Sequence, residues 1–297
     1  MVQTNSIKPL IICGPTCSGK SDVANTIAPI INGEIVSADS MQIYKEFNIG
    51  TAKITESEMS VKHYMIDIAD ANAEFSVAEY ANIAKNVIAD IKRRKKVPII
   101  AGGTGLYINS IIFDYDFNQC NKNDEIRRKY QKFSDENGKD ALYALLKEKN
   151  PNAYEKLHMN DTKRIIRALE IAELGGISIP SKQLNDDYVI IGIDVDRKTL
   201  YDKINQRVER MFISGLELEV KNIADKYGFE IQAMQAIGYK EFKGYFNGEY
   251  DRRTLMELIK RHTRNYAKRQ ITWLKQIPNI VWLKKENITD NILKLYD

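Results

Sequence analysis

Short apolar runs alternate with helix-type patterns in the first and last parts of the chain. The apolar runs predict strands at 9–13, 33–38, 63–68, 97–101, 188–194 and 279–283. Helices are predicted to begin at 22, 76, 197 and 251, and a short helix from 41 is predicted to lead into a loop at Gly50. Strands that alternate with helices indicate an α/β fold in which helices flank a parallel sheet.

The middle of the chain has a different character. Residues 118–187 are charged and helix-rich, and they contain no strand-like run before the one at 188–194. Such a segment is typical of a helical insertion in an α/β core. We therefore predict two domains, a core formed by 1–117 and 188–297 and a helical insertion over 118–187.

The first predicted strand leads into a glycine-rich loop with the spacing G-x-x-x-x-G-K-[ST]. Its residues are Gly14, Pro15, Thr16, Cys17, Ser18, Gly19, Lys20 and Ser21. The backbone N–H groups of such a loop wrap a phosphate chain at a helix N-terminus, the lysine adds a positive charge, and the Ser21 hydroxyl can hold Mg²⁺. The loop predicts a P-loop NTPase-like core that binds a di- or triphosphate, and it does not choose among ATP, GTP and organic diphosphates.

Polar residues also follow two other predicted strands. Asp39 comes directly after the second strand, and Thr104 follows Gly102 and Gly103 at the end of the fourth. Ligands of parallel α/β sheets sit at the carboxyl ends of the strands, so both side chains are expected to face the crevice of the phosphate loop. Asp39 is a candidate catalytic acid or base, and a turn or a helix cap is the alternative explanation for this aspartate.

Basic residues cluster on several predicted helices. Two one-sided basic faces are formed by Lys163, Arg164 and Arg167 in the insertion and by Arg261, Arg264, Lys268 and Lys275 near the C-terminus. Either face suits a phosphate backbone, with a solvated helix surface as the alternative. Arg207 lies on a helix that could form a lid over phosphates or present only surface charge. The run at 92–96 is interpreted as a solvated helix end, with a nucleic-acid patch as the alternative. The helix predicted from 251 carries an apolar stripe of Leu255, Ile259, Tyr266 and Trp273.

Composition narrows the classes of protein. With 297 residues, a net charge of +4 and a pI near 8.7, the chain is only mildly basic, so the case for a nucleic-acid partner rests on the clusters. The three cysteines form no C-x-x-C or Cys/His pattern, which argues against a disulfide framework and a structural zinc. The first residues lack a signal-peptide pattern, and no apolar run approaches the roughly 18 residues of a membrane span. We expect a cytoplasmic protein without a membrane partner.

Six motifs, taken together, carry a family resemblance. They lie at 14–21, 38–44, 48–53, 102–107, 236–239 and 268–273. In residue types and in order they closely resemble the tRNA dimethylallyltransferase family over nearly the whole chain. The resemblance implies transfer of the dimethylallyl group of dimethylallyl diphosphate to the exocyclic amine of the adenosine 3′ of the anticodon in certain tRNAs. It also implies a P-loop of the ATP- and nucleotide-binding type, with Mg²⁺ as the bound cation. A monomer is expected.

The resemblance also implies roles for individual residues. The P-loop would hold the diphosphate, Arg207 resembles the lid arginine of the family, Asp39 its general base, and Thr104 the partner that positions the adenine. The residues expected to contact the tRNA anticodon stem-loop are Asp39, Ser40, Met41, Gln42, Thr104, Arg127, Lys163, Arg164, Ile165, Ile166, Arg167, Gly238, Tyr239, Lys268 and Arg269. The sequence departs from the family pattern at two places, Cys17 in the loop and the pair Met41–Gln42. The side-chain roles of Met41 and Gln42 are therefore open.

Three other functions share part of this pattern. A small-molecule kinase would share the P-loop and would transfer phosphate from ATP without RNA. A non-catalytic RNA-binding protein would keep every function after Asp39→Ala. A prenyltransferase of free adenine nucleotides would prefer AMP to tRNA, and the helical insertion argues against it.

Overall fold

The computed structural model describes residues 8–113, 123–175 and 187–296. The chain divides into two compact units, one formed by Met1–Ile112 with Asn185–Asp297 and the other by Phe113–Leu184. These boundaries fall a few residues before the predicted ones at 117/118 and 187/188. Residues 117 and 118 themselves, Cys120 and the N-terminal residues 1–7 lie outside the described part of the chain.

The first unit contains a six-stranded sheet. Its strands are β1 (Leu10–Cys13), β2 (Gly33–Ala38), β3 (His63–Tyr64), β4 (Val97–Gly102), β5 (Val189–Asp194) and β6 (Val281–Lys284). They lie in the order β3-β2-β4-β1-β5-β6, and every neighbouring pair is parallel. The predicted α/β class with a parallel sheet is confirmed.

Helices surround this sheet. Those of the first unit are α1 (Lys20–Ile27), α2 (Val77–Arg93), α3 (Gly105–Ile112), α7 (Arg197–Ile213), α8 (Leu216–Tyr227), α9 (Phe242–Phe246), α10 (Arg252–Leu274) and α11 (Lys285–Tyr296). Short 3₁₀ turns lie at Glu56–Glu58 and Ala233–Gln235. In the second unit the described helices are α4 (Asp124–Lys149), α5 (Pro151–Tyr154) and α6 (Thr162–Glu173), and Gly138 interrupts α4 with a left-handed backbone at φ 84°.

Burial explains why the apolar runs become central strands. Every residue of β1, β2 and β4 is buried, as expected for parallel strands that are covered on both faces. One apolar cluster joins the sheet to α1 and α11 through residues such as Ile12, Ile27 and Ile288. A second cluster packs α7, α8 and α10 around Phe212 and Tyr239. The core therefore has one apolar layer between the sheet and α1 and α11, and a second cluster that joins α7, α8 and α10 to the segment after β2.

The strand register brings three chain segments to one edge of the sheet. Gly102, the last residue of β4, lies opposite Cys13 of β1 and Ala38 of β2. A Cβ atom at Gly102 would lie 2.1 Å from the carbonyl oxygen of Ala38, so only glycine fits there. The P-loop, Asp39 and the segment from Gly103 consequently leave the sheet side by side.

The short helix predicted from residue 41 is wrong. Residues 41–50 form turns, and Tyr44 makes an isolated parallel bridge with Ala69. The backbone bonds of this stretch run to the neighbouring segment, since Lys45 N–H donates to the Ala69 carbonyl and Ala69 N–H to that of Ile43, each at 2.9 Å. Tertiary pairing has replaced the local helix.

The basic run at 92–96 has a structural role. Arg94 and Lys96 pair at 2.6 and 2.7 Å with Glu34, a β2 carboxylate that is only 5% exposed. Tyr64 also donates to Glu34, at 2.9 Å. These contacts lower the pKa of Glu34 to about 2, and the hydrogen bond from Arg94 has the largest effect. The cluster joins the end of α2 to the sheet edge opposite the P-loop.

We predict that Glu34→Gln lowers the free energy of unfolding at pH 7 by about 2 kcal/mol, because hydrogen bonds to a charged group are lost in a buried position. The folded pKa lies below the ordinary value of 4.5, so the stabilisation is present above pH 4.5 and is lost as pH falls toward 2. Urea denaturation between pH 7 and pH 3 should therefore show the difference between wild type and variant shrinking below pH 4.5. The exposed Glu148→Gln serves as control, and an equal loss in both variants would contradict the assignment.

Candidate active site

A cavity of about 360 Å³ opens at the carboxyl edge of the sheet. The P-loop, the segment after β2, α7, the turn at Gly238 and α10 enclose it. Its polar lining residues include Thr16, Lys20, Asp39, Ser40, Arg207 and Tyr266, and its apolar lining residues include Met41, Val208, Met211, Ile237 and Ile259. The structure therefore brings the predicted phosphate loop, carboxylate and arginine into one space.

The P-loop residues form a concave turn between β1 and α1. Gly19 has the left-handed backbone that this turn requires, at φ 87°. The Ser18 side chain is fully buried, and its hydroxyl has no hydrogen-bond partner within the described residues. Burial lowers the pKa of Lys20, and the charge of Asp39 opposes this shift. A buried hydroxyl without a partner beside a desolvated lysine fits an anion-binding loop.

Arg207 links α7 to the P-loop. Its Nη1 donates to Thr16 Oγ1 and its Nη2 to the carbonyl of Thr51, both at 3.1 Å. The guanidinium thus lies between the P-loop and the segment that carries Thr51.

Asp39 and Thr104 are connected through the backbone of Ser40. Asp39 Oδ1 accepts the N–H of Met41 at 2.9 Å, and Thr104 Oγ1 accepts the N–H of Ser40 at 3.0 Å. Asp39 therefore stabilises a turn, and it also lines the cavity. Thr104 fixes the start of the segment that carries Asp39.

Helix α10 contributes two residues that the sequence analysis did not assign to the site. The side-chain amide of Gln270 accepts the N–H of Thr16 and donates to the carbonyl of Gly103, each at 2.8 Å. Tyr266 was assigned to an apolar stripe, yet it lines the cavity. Burial and then the charge of Asp39 raise the pKa of Tyr266 to about 12. Gln270 lies in the motif at 268–273, which was the only sequence signal for it.

The other residues of the first unit that are predicted to contact RNA lie at the surface, on the cavity wall or in the core. Lys268 is exposed, and Arg269 lies on the cavity wall with its guanidinium 5.8 Å from the centroid of the Tyr266 ring. Gly238 and Tyr239 also line the cavity, but Tyr239 is buried and its hydroxyl donates to Glu219 at 2.7 Å. Gln42 accepts a hydrogen bond from Ser37 at 3.2 Å.

In the helical unit, buried Glu170 pairs with two of the predicted arginines. Arg127 and Arg167 lie 2.9 and 2.6 Å from its carboxylate. Lys163 and Arg164 are exposed, whereas Ile165 and Ile166 are buried in the apolar core of this unit. Within this stretch, Lys163 and Arg164 are therefore accessible at the surface, whereas Ile165 and Ile166 are not.

No group of three or more histidine, cysteine, aspartate or glutamate side chains within 8–113, 123–175 and 187–296 is arranged to hold a metal ion. None of the described helices combines the length and the apolar character that crossing a membrane requires.

The fold and the site define an α/β protein of the P-loop class in which a carboxylate shares the phosphate cavity. A family model described as IPP transferase matches residues 42–277. The chain therefore belongs to the IPP transferase family, and the resemblance stated from the six motifs is confirmed.

Individual relatives match nearly the whole chain. A tRNA dimethylallyltransferase of Thermoanaerobacter sp. strain X514 is 46% identical over 97% of both chains. Another, of Caldanaerobacter subterraneus, is 48% identical over 93% of this chain and 91% of its own. The crystal structure of the full-length tRNA isopentenylpyrophosphate transferase of Bacillus halodurans has a TM-score of 0.74 at 37% identity and covers 97% of this chain and 95% of its own. A eukaryotic dimethylallyltransferase acting on tRNA has a TM-score of 0.83 at 27% identity, over 98% of this chain and 78% of its own.

We predict that Gln270→Met lowers the free energy of unfolding by about 2–3 kcal/mol, because the Thr16 N–H and the Gly103 carbonyl both lose a partner in a buried position. Urea denaturation measures the effect. The matched control is Gln276→Met, which changes an exposed glutamine just beyond the same helix. Equal stabilities of the two variants would show that the Gln270 amide does not hold α10 against the P-loop.

Proposed function

We propose that the protein transfers the dimethylallyl group of dimethylallyl diphosphate to the exocyclic amine of the adenosine 3′ of the anticodon in tRNA, in the cytoplasm. The observation that carries the proposal is that residues of the P-loop and Asp39 line one cavity together with aliphatic side chains. The relatives named tRNA dimethylallyltransferase, at 46% and 48% identity, support the same activity.

The P-loop end of the cavity receives the diphosphate. When the bond between the allylic carbon and its oxygen breaks, negative charge accumulates on the leaving diphosphate. Lys20, Arg207 and the loop N–H groups stabilise this charge. Because they are already in place, no reorganisation of solvent is needed as the charge develops. Since the allylic cation is stabilised by resonance, charge stabilisation at the leaving group is the main catalytic task.

Asp39 accepts the proton that the adenine must lose. The amine nitrogen forms a bond to the allylic carbon, one N–H proton passes to the Asp39 carboxylate, and diphosphate leaves. The amine is a poor nucleophile because its lone pair is delocalised into the ring. Proton removal by a positioned carboxylate typically accelerates such a step by about 10²–10⁴-fold.

The apolar lining residues of the cavity suit the prenyl chain. Among them are Val208 and Met211 of α7 and Ile259 of α10, each no more than 8% exposed. They bind the hydrocarbon and exclude water, which would otherwise compete with the amine for the allylic carbon.

The donor set of the P-loop fits Mg²⁺ that is shared with the substrate. The Ser21 hydroxyl is exposed at the start of α1, and Mg²⁺ commonly combines one or two protein oxygens with substrate phosphates and waters. Bound there, the ion would add positive charge to the diphosphate oxygens. Ser21 would hold it, and Lys20 and Arg207 would hold the same diphosphate.

Basic side chains bind the RNA. Lys163 and Arg164 on α6 and Lys268 on α10 are exposed and suited to phosphate contacts. The target base must leave its stack in the anticodon loop to reach Asp39, as in other enzymes that modify nucleobases. Arg269 lies on the cavity wall, where it can meet that nucleotide.

We predict that Asp39→Asn lowers transfer by about 10²–10⁴-fold, because the proton acceptor is lost while the size of the side chain is kept. The measurement is transfer of radiolabelled dimethylallyl diphosphate to an unmodified anticodon stem-loop RNA, with Mg²⁺ and after chelation by EDTA. Chelation should also abolish transfer, and added Mg²⁺ should restore it.

Asp225→Asn, which changes an exposed residue of α8, is the control and should transfer at the wild-type rate. Wild-type rates from Asp39→Asn would refute its role as the base. Transfer of phosphate from ATP without RNA, and no prenyl transfer to any tRNA, would identify a kinase instead.

A second prediction concerns salt. The logarithm of tRNA affinity should fall linearly with the logarithm of salt concentration, and Lys163→Ala and Lys268→Ala should each reduce that slope by about 0.7–0.9, the value of one phosphate contact. Filter binding at several salt concentrations measures this. Lys221→Ala serves as control, because Lys221 already pairs with Asp225 at 2.6 Å. Affinity independent of salt would contradict the basic footprint.

A further inference from the structure

Glu219 of α8 lies outside the cavity lining but binds the loop that forms part of it. Its Oε2 accepts the backbone N–H groups of Asn48 and Ile49 at 3.1 and 2.7 Å. Its Oε1 accepts the N–H of Gly50 at 3.1 Å and the hydroxyl of Tyr239 at 2.7 Å. Three successive amides thus converge on one carboxylate, in the arrangement by which backbone concavities bind anions.

The same loop carries the carbonyl that orients Arg207. Gly50 is followed by Thr51, which is 7% exposed and whose carbonyl accepts Arg207 Nη2 at 3.1 Å. The other arm of the guanidinium reaches Thr16 in the P-loop. A continuous set of hydrogen bonds therefore leads from Glu219 through residues 48–51 to Arg207 and the P-loop.

Close packing holds the loop from the opposite side. A Cβ atom at Gly50 would lie 2.5 Å from the Tyr239 ring, so the loop backbone rests directly on that ring. The Tyr239 hydroxyl is bound by the same carboxylate as the loop. One side chain thus sets the spacing between two walls of the cavity, the loop at 48–51 and the turn at Gly238.

We propose that Glu219 is a positioning residue that holds Arg207 in its diphosphate-binding orientation through the loop at 48–51. This inference rests on the proposed function, in which Arg207 stabilises the leaving diphosphate. Three hydrogen bonds from the loop to Glu219 fix the backbone that leads into Thr51, and the Thr51 carbonyl fixes one arm of the guanidinium. Loss of the carboxylate loosens the segment that carries the Thr51 carbonyl, while Arg207 keeps its contacts with Thr16 and with Cys17 Sγ, the latter at 4.0 Å.

Glu219→Gln is the informative variant because it keeps the volume of the side chain. A glutamine has one carbonyl oxygen, so its NH₂ group must face either the Gly50 N–H or the N–H groups of Asn48 and Ile49, and donors then oppose donors. The matched control is Glu217→Gln, two residues earlier on α8. Glu217 accepts bonds from Tyr245 and Arg252 at 2.9 and 3.2 Å rather than from the loop.

The first readout is binding of inorganic diphosphate, measured by calorimetry in the presence of Mg²⁺. We expect Glu219→Gln to bind about tenfold more weakly than wild type, the effect of losing one well-oriented charged hydrogen bond. Glu217→Gln should match wild type. Gly50→Ala, which displaces the loop from the Tyr239 ring, should weaken binding similarly and provides a second test if Glu219→Gln does not fold.

A double-mutant cycle separates positioning from general stability. If Glu219 acts through Arg207, Glu219→Gln should have almost no further effect on diphosphate binding in an Arg207→Ala background. In the single variant, kcat for prenyl transfer should fall about 10- to 100-fold while KM for tRNA stays unchanged, as expected for a misplaced catalytic group. Additive losses in the double variant, or diphosphate binding by folded Glu219→Gln that equals that of Glu217→Gln, would overturn the inference.

The binding readout does not depend on the reaction. If wild type binds diphosphate but prenylates no tRNA, the proposed function fails, and the cycle still decides whether Glu219 positions Arg207. If wild type prenylates tRNA and the cycle is additive, the positioning role fails alone.

Discussion

The site depends on the parallel register of β1, β4 and β2. Gly102 lies opposite both Cys13 and Ala38, and the carbonyl of Ala38 passes so close that a methyl group would not fit. This contact makes three strands end level with one another, so that the P-loop, Asp39 and Gly103 emerge side by side. A shift of one strand would separate the P-loop from the Asp39 carboxylate. The two could then no longer act at the same site.

Helices α7 and α10 complete the cavity at the carboxyl edge of the sheet. The amide of Gln270 joins α10 to the P-loop and to the end of β4, while Arg207 joins α7 to the P-loop and to the loop at 48–51. Each of these side chains bonds to two segments that are far apart in sequence. These bonds hold the polar residues of the cavity in place, and aliphatic residues line the same cavity.

The two basic faces proposed from the sequence have different settings. In the helical unit Glu170 neutralises part of the face, because Arg127 and Arg167 share its carboxylate while Lys163 and Arg164 remain exposed. On α10, Arg264 donates to Asn205 at 2.6 Å, whereas Arg261 and Lys268 are exposed. A helical spacing identifies the side on which charges lie. It does not reveal which of these charged side chains already has a partner on another helix, as Arg264 has in Asn205 of α7.

The sequence by itself determined the α/β class, most element positions, the P-loop and the placement of Asp39 after β2, since these follow from local apolar runs and short motifs. The tertiary structure decided the rest. It replaced the helix predicted from residue 41 with a bridge to Ala69, and it turned Tyr266 from a member of an apolar stripe into a cavity residue. It also assigned structural tasks to Gln270 and Glu219, which no spacing rule had singled out. The physical reason is that a hydrogen bond between segments about 170 or 254 residues apart leaves no periodic trace in the chain.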